Sequence, residues 1–195
     1  YSLALQEIAQ ACASTAVIMS VTNLSCEPLL LFGSDEQKER WLPALASGEG
    51  LGAFALTEPE AGSDPGSLRT QAVRTDNGYR ITGSKVFITN GAHARTFVLV
   101  ARTSQEGGKK ALSAFLIPRE TSGLGVGPEE EKMGLHASST VPLTLDDCLV
   151  PLEQRIGQEG DGFRIAMVAL DGGRIGIASQ ATGLGQACLE ESVRY

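Results

Sequence analysis

The chain has 195 residues, of which 42% are hydrophobic, which is enough for one good-sized domain or for a domain with parts of its neighbours. With 16 basic and 23 acidic residues its net charge is −7, so no positive surface is available to neutralise nucleic-acid phosphates, and nucleic acid is not an expected partner. No stretch approaches the roughly 18 uncharged apolar residues of a membrane helix, so membrane insertion is not expected either.

Two predicted helices open the chain. Apolar residues between positions 3 and 21 recur at steps of three and four with alanine between them, which predicts a helix buried on more than one side. A second helix is predicted from Ser34, where Gln37 three positions on completes a capping box, to Gly48. Trp41 lies on the apolar face of that helix and is interpreted as a packing anchor.

A buried strand followed by a polar loop comes next. Residues 51–56 are apolar or glycine, which is typical of a strand covered on both faces, and the acid-proline pair after them ends the strand. Gly62 would let a ligand approach the backbone, while Thr57, Ser63 and the N–H groups of the loop could donate to a ring or a pyrophosphate. A loop that only ends a strand and binds nothing would have the same composition, so the interpretations as a binding loop and as a purely structural loop both stay open.

Several short β segments follow, with no helix between them. Asp76-Asn77-Gly78 predicts a tight hairpin between residues 72–75 and 79–82, and Asn90-Gly91 marks a further turn. Other predicted strands cover residues 85–89, 96–101, 111–118 and 141–145, joined by connections at 104–110 and 122–128. This pattern predicts an antiparallel sandwich or barrel.

Helical spacing returns after a glycine cluster, at residues 163–170 and 175–191, with a polar insert at 171–174 between them. The fold class is therefore predicted as α+β, with a helical part at 1–50, a β domain at 51–155 and a second helical part at 156–195. The chain starts without methionine and stops inside a predicted helix, so we expect it to be a fragment.

The four cysteines show no metal-ligand spacing, and only two histidines accompany them. No metal site is expected. The cysteines, interpreted as reduced core thiols of an intracellular protein, are Cys12, Cys26, Cys148 and Cys188.

Four motifs together resemble one enzyme family. Residues 57–64 (TEPEAGSD) are similar to the signature of the acyl-CoA dehydrogenases, FAD enzymes that place a double bond between Cα and Cβ of an acyl thioester. Three further motifs follow in the order of that family, at residues 85–91 (KVFITNG), 132–140 (KMGLHASST) and 170–178 (LDGGRIGIA). The likeness covers nearly the whole chain, and the last motif looks most like the short-chain, butyryl-type members.

The resemblance implies the end of a helical domain, a β domain that binds FAD and the start of a helical bundle. It also implies an acyl-CoA substrate, an electron-transfer flavoprotein as acceptor, and a homo-oligomer, which is a tetramer in the family. The expected location is the bacterial cytoplasm or the mitochondrial matrix.

The resemblance implies roles for particular residues. Thr57 and Thr89 would bond the flavin ring, and Phe87 would pack against it where many relatives carry tryptophan. Without the resemblance, Phe87 would be interpreted as an ordinary core residue. The full set of implied cofactor-binding residues is Phe54, Ala55, Leu56, Thr57, Gly62, Ser63, Phe87, Ile88 and Thr89.

Contacts with acyl-CoA are implied at two places. Ser63 would be shared between the flavin phosphates and the substrate, although its alternative role is to cap a turn. Asp171, Gly172, Gly173 and Arg174 would touch the CoA portion, although Arg174 could equally form a surface salt bridge. His136 stands where the family often has arginine and receives no role.

No catalytic residue is assigned. The reaction requires a carboxylate base, which family members usually supply from a glutamate far downstream of the segments present here. Glu58 and Glu60 lie in the signature but inherit no such role, so residues 1–195 alone are expected to be inactive. Two alternatives remain open: an acyl-CoA oxidase, and a flavin-free binding scaffold of the same fold.

Overall fold

The computed structural model describes residues 1–105 and 108–195, and it confirms the predicted order of helices, sheet and helix. The helices are α1 (Ser2–Ala11), α2 (Ala13–Phe32), α3 (Asp35–Ala46) and α4 (Gly162–Arg194). The strands are β1 (Leu51–Ala55), β2 (Gln71–Thr75), β3 (Gly78–Thr89), β4 (Ala94–Arg102), β5 (Leu112–Pro118), β6 (Leu124–Val126), β7 (Thr140–Pro151) and β8 (Arg155–Ile156). Residues 106 and 107 of the predicted connection 104–110 lie outside the described residues.

The predicted helix over residues 3–21 is in fact two helices. Cys12 has extended backbone angles, φ −155° and ψ 105°, and separates α1 from α2, which then continues through Pro28 to Phe32. Leu3 and Met19 are exposed, so the prediction that this apolar set is buried was wrong for both. Apolar spacing is the same on either side of a one-residue break, and it therefore cannot reveal that break.

Helix α2 is more apolar than the sequence-based prediction allowed. Its 20 residues have a mean hydropathy of 1.4, which is long and apolar enough to cross a membrane by length and composition alone. In the fold it packs against α1, α3, α4 and β1. A core helix meets the same criteria, so this finding is weak evidence for a membrane span.

The N-terminus of α3 has the predicted capping box. The hydroxyl of Ser34 accepts from the backbone N–H of Gln37 at 3.2 Å, and the side-chain oxygen of Gln37 accepts from the N–H of Ser34 at 3.1 Å. The Gln37 amide also donates to the carbonyls of Glu153 and Arg155, which joins the helix to the sheet. Gly48, with φ +81°, follows the end of the helix as predicted.

The sheet has the strand order β6-β7-β3-β2-β4-β5-β8. Strand β1 is not in this order and forms a further pair with β4. Most pairs are antiparallel, as predicted, but β4 pairs in parallel with both β1 and β2. Turn signals identify only strands that are joined by a short loop, and β1 is separated from β4 by the whole β2–β3 hairpin. Strands β6 and β8 do not pair with each other, so within the described residues the sheet is open and the barrel prediction was wrong.

Two further strand predictions needed correction. The segments predicted at 79–82 and 85–89 are one strand, β3, whose pairing with β7 shifts register between Ile81 and Gly83 and between Lys85 and Ile88. Strand β6 lies inside the predicted glycine-rich connection 122–128. The hairpin between β2 and β3 is confirmed.

Helix α4 is continuous over 33 residues, and the predicted polar insert at 171–174 lies within it. Two of its glycines lie close to α2: a Cβ on Gly173 would lie 3.1 Å from Leu24, and one on Gly172 would overlap the carboxyl of Glu27. Side chains of α2 fill the space that helix glycines leave, and this packing offsets the low helix propensity of glycine.

The sheet is covered on both faces by hydrophobic cores. In β4, Phe97 and Leu99 enter one core, formed among the strands, while Val98 and Val100 enter the other, formed with the helices. The predicted double coverage of β1 is also confirmed, because Phe54 packs with the helices and its neighbouring alanines pack among the strands. The partly buried ring of Trp41 packs against the helical core, as predicted.

All four cysteines carry free thiols. Cys148 is buried and Cys26 is half-buried, but Cys12 and Cys188 are exposed, so the prediction of core thiols was wrong for these two. The described residues contain no group of three or more His, Cys, Asp or Glu that could hold a metal ion.

Candidate functional site

The loop after β1 lies directly beside β3. The backbone N–H of Val86 donates to the carbonyl of Thr57 at 2.9 Å. Because Val86 immediately precedes Phe87, this bond brings the first motif next to the second. Two segments that are 29 residues apart in numbering therefore form one surface.

A buried ion pair lies beneath that surface. The Lys85 ammonium donates to the Glu58 carboxylate at 2.7 Å, to the Leu56 carbonyl at 2.9 Å and to the Val100 carbonyl at 2.7 Å. These three bonds use its full donor capacity. Glu58 also accepts from the N–H of Thr70 at 3.1 Å. The pair thus fastens the loop to the sheet.

The electrostatics of this pair explain why Glu58 is not a general base. Burial raises the pKa of Glu58, but the Lys85 charge and the hydrogen bonds from Lys85, Thr70 and Arg69 outweigh burial, so the pKa lies below its usual value. Burial lowers the pKa of Lys85 to about 8, although Glu58 opposes that change. At neutral pH Glu58 is an ionised carboxylate whose oxygens are already occupied.

A bulge in β3 turns Phe87 outward. Lys85 pairs with Leu143 and Ile88 pairs with Val141, so an advance of three residues along β3 lies opposite an advance of two along β7. The extra residue in β3 is the bulge. Phe87 has φ +58° and its side chain is 64% exposed. A left-handed backbone costs a residue with a Cβ about 1–2 kcal/mol. The core interpretation of Phe87 was wrong, and an exposed aromatic in a strained conformation is typical of a functional site.

The nine residues assigned to the cofactor divide by exposure. Thr57 and Thr89 are half-buried, and the exposed members are Gly62, Ser63 and Phe87. A Cβ added at Gly62 would meet no atom within 4 Å, so this part of the loop borders open space. The remaining four, whose side chains are buried and could serve a ligand only through their backbone, are Phe54, Ala55, Leu56 and Ile88.

The charged residues of the segment 171–174 pair with each other. Arg174 donates to Asp171 at 2.5 Å, and both side chains are exposed, so the alternative of a surface salt bridge is realised. Among the described residues, no hydrogen bond joins this segment to Ser63 or to the rest of the loop. Among the described residues, hydrogen bonds therefore join the two cofactor motifs to each other but do not join the segment 171–174 to them.

Sequence reasoning missed two buried polar residues that position the site. Lys85 was noted only as the start of a motif, although a lysine within a strand that also carries apolar residues could have suggested a buried partner. Asn90, with φ +66°, donates through its side-chain amide to the carbonyls of Ile18 at 3.0 Å and Gly52 at 3.1 Å. This amide holds the turn after Thr89 against α2 and β1.

Comparison with known proteins gives matches along the whole chain. Family models of acyl-CoA dehydrogenases match in order: the N-terminal domain at residues 1–49, the middle domain at 53–148 and the C-terminal domain at 160–195. An acyl-CoA dehydrogenase of Bacillus subtilis is 48% identical over the whole chain, which covers 52% of that protein. The mitochondrial short-chain specific acyl-CoA dehydrogenase of Mus musculus is also 48% identical, with 48% of it covered.

Solved structures of related proteins also match this chain. Butyryl-CoA dehydrogenase from Megasphaera elsdenii matches the whole chain with a TM-score of 0.97 and 44% identity, over 51% of its own length. A chain in a structure of the electron transferring flavoprotein of Acidaminococcus fermentans matches with a TM-score of 0.98 and 42% identity, over 52% of its length. The present chain thus spans about half the length of the relatives it matches. Three successive family models and these likenesses show that the chain belongs to the acyl-CoA dehydrogenase family.

Proposed function

We propose that this chain is the cofactor-binding core of an FAD-dependent dehydrogenase that forms a Cα=Cβ double bond in a short-chain acyl-CoA thioester. The observation that carries the proposal is the preformed contact between the loop after β1 and the bulge of β3. That contact presents Phe87 beside two half-buried threonines. The short-chain preference is supported by the likeness to the short-chain specific enzyme of Mus musculus and to butyryl-CoA dehydrogenase of Megasphaera elsdenii.

The described residues fit a flavin. The exposed Phe87 ring offers an apolar face that would exclude water from one side of a planar ring system. The hydroxyls of Thr57 and Thr89 would donate to its polar atoms, and Gly62 and Ser63 border space that is open for a pyrophosphate. FAD, when bound, supplies the acceptor for the hydride that leaves Cβ. The buried cofactor residues, Leu56 and Ile88 among them, would contribute backbone groups.

The substrate would lie between this surface and α4. Ser63 and residues 171–174 would contact acyl-CoA, and the α proton would be removed by a carboxylate outside residues 1–195. Glu58 is held in its ion pair and does not take that role. An electron-transfer flavoprotein as acceptor, a homotetramer and a cytoplasmic or mitochondrial-matrix location belong to the same proposal. The domain limits near residues 50 and 155 are also part of this proposal.

The test uses the full-length polypeptide purified without added flavin. A yellow protein with flavin absorption, bleached by butyryl-CoA under anaerobic conditions, is the expected result. A colourless protein that takes up no FAD would instead support the flavin-free scaffold. After bleaching, slow recovery of the absorption in air and fast recovery with an electron-transfer flavoprotein indicate a dehydrogenase, whereas fast recovery in air indicates an oxidase.

A further inference from the structure

The two residues on either side of Thr57 are held by one ammonium group. Lys85, fully buried on β3, donates to the carbonyl of Leu56 at 2.9 Å and to the carboxylate of Glu58 at 2.7 Å. Its third bond, to the carbonyl of Val100 at 2.7 Å, ties the ammonium to β4. Thr57 therefore lies in a short stretch of chain whose neighbours on both sides are fastened to the same fixed point.

The backbone of Thr57 is held as well, while its side chain is not. The N–H of Val86 donates to the Thr57 carbonyl at 2.9 Å. The Glu58 carboxylate, besides meeting the ammonium, accepts from the N–H of Arg69 at 2.6 Å and from that of Thr70 at 3.1 Å. The Thr57 side chain is half-buried, and its hydroxyl forms no hydrogen bond with the residues that the structure describes. The structure thus fixes where this hydroxyl lies and leaves it available to a ligand.

An ion pair is better suited to fixing a position than to adding stability. A buried pair adds little net stability over apolar residues of similar volume, because both charges give up their hydration. Its hydrogen bonds are directional, however, and here they join three segments: the loop after β1, strand β3 and strand β4. They are satisfied together in one arrangement of these segments, so the pair specifies the place of the residue between its two contacts in the loop.

Thr89, the other hydroxyl proposed to meet the flavin ring, is held by different contacts. It pairs with Thr140 of β7. The next residue, Asn90, donates from its side-chain amide to the Gly52 carbonyl at 3.1 Å. Lys85 forms neither of these contacts. The two hydroxyls therefore have separate supports, and a change at Lys85 can be compared at one hydroxyl and at the other.

We propose that Lys85 is a positioning residue for the cofactor, which together with Glu58 sets the Thr57 hydroxyl where it donates to the flavin ring. This inference rests on the proposed function, because it requires FAD at the surface that Thr57 and Phe87 form. It adds to that function a buried side chain that touches no ligand and acts on cofactor binding through one named hydroxyl.

The test is a double-mutant cycle on the full-length protein. Thr57→Val and Thr89→Val each remove one hydroxyl and keep the β-branched shape. Each is made in the parent and in Lys85→Met/Glu58→Gln, which removes one charge of each sign and leaves the net charge unchanged. Kd for FAD is measured by titrating the flavin-free protein, the absorption maximum of the bound flavin is recorded, and the urea midpoint shows which variants fold. Thr89→Val is the matched control.

In the parent, Thr57→Val and Thr89→Val should each raise the Kd for FAD about fivefold, the loss of one hydrogen bond. In Lys85→Met/Glu58→Gln, Thr57→Val should change Kd by less than about twofold and leave the flavin absorption unchanged, because its hydroxyl is already misplaced. Thr89→Val should still raise Kd about fivefold there. If the double variant does not fold, Glu58→Gln replaces it as the background, with a reduced effect of Thr57→Val and a full effect of Thr89→Val expected.

Three results would overturn the inference: Thr57→Val costs the same in both backgrounds, it has no effect in the parent, or the effects of Thr57→Val and Thr89→Val disappear together. The last result would show that the ion pair supports the sheet as a whole and not one hydroxyl. If the parent protein binds no FAD, the proposed function itself fails, and that result is visible before any variant is made.

Discussion

The loop at 57–63 rests on charges that are withdrawn from water, whereas the segment 171–174 of α4 carries its charges in solvent. The side chains of Lys85 and Glu58 are 0% and 4% exposed, while those of Arg174 and Asp171 are 71% and 72% exposed. An exposed pair at i,i+3 contributes little to stability, but removing one partner of a buried pair leaves an uncompensated charge. The buried pair therefore holds the start of the loop in one position, while the charged groups on α4 are free to rearrange around a ligand.

The largest expected effect comes from Lys85→Met. This change leaves Glu58 buried without its counter-ion and should lower the free energy of unfolding by about 3–5 kcal/mol, measured by urea denaturation. The double variant Lys85→Met/Glu58→Gln removes the orphaned charge and should recover part of the loss. If Lys85→Met is as stable as the parent, the buried pair does not hold the loop and the contrast with α4 disappears.

Lowering the pH should weaken the pair of Lys85 and Glu58, with a smaller loss of stability than Lys85→Met causes. The pKa of Glu58 is lower in the folded protein than in the unfolded chain, so its stabilising contribution is present above the unfolded value of 4.5 and is lost as the pH falls through the folded value. The expected result is a fall in the urea midpoint below pH 4.5 that is reduced in the double variant Lys85→Met/Glu58→Gln. Parallel pH profiles for parent and double variant would show that other carboxyls cause the acid sensitivity.

The next effect concerns the strained backbone at Phe87. Phe87→Gly and Phe87→Ala both remove the ring, but only glycine adopts φ +58° freely. Phe87→Gly should therefore be about 1 kcal/mol more stable to urea than Phe87→Ala, while both bind FAD more weakly than the parent. Equal stability of the two variants would mean that the bulge relaxes when the ring is absent.

The smallest effect on stability is expected on α4. Arg174→Ala breaks an exposed pair and should change the free energy of unfolding by no more than about 0.5 kcal/mol. If this segment meets CoA, Kd for butyryl-CoA should nevertheless rise several-fold with FAD content unchanged. Loss of FAD with retained CoA affinity would show that the segment serves the other ligand.

Local sequence signals predicted the elements whose causes are local. The capping box of α3 needs only Ser34 and Gln37, and the β2–β3 hairpin needs only its Asn-Gly turn, so both could be predicted without a fold. Four short motifs in the right order were also enough to identify the family, because each motif is contiguous in the chain.

How these elements meet depends on contacts that form only in the folded chain. The parallel pairing of β1 with β4, the continuity of α4 across its glycines, and the outward turn of Phe87 all depend on partners that are distant in the chain. Lys85 and Glu58 are 27 residues apart, and although a lysine within an apolar strand suggests a buried partner, no local signal identifies that partner as Glu58. Residue type and spacing report on interactions within a few residues. Burial and strand register instead depend on contacts between segments that are distant in the chain, and these contacts form only on folding.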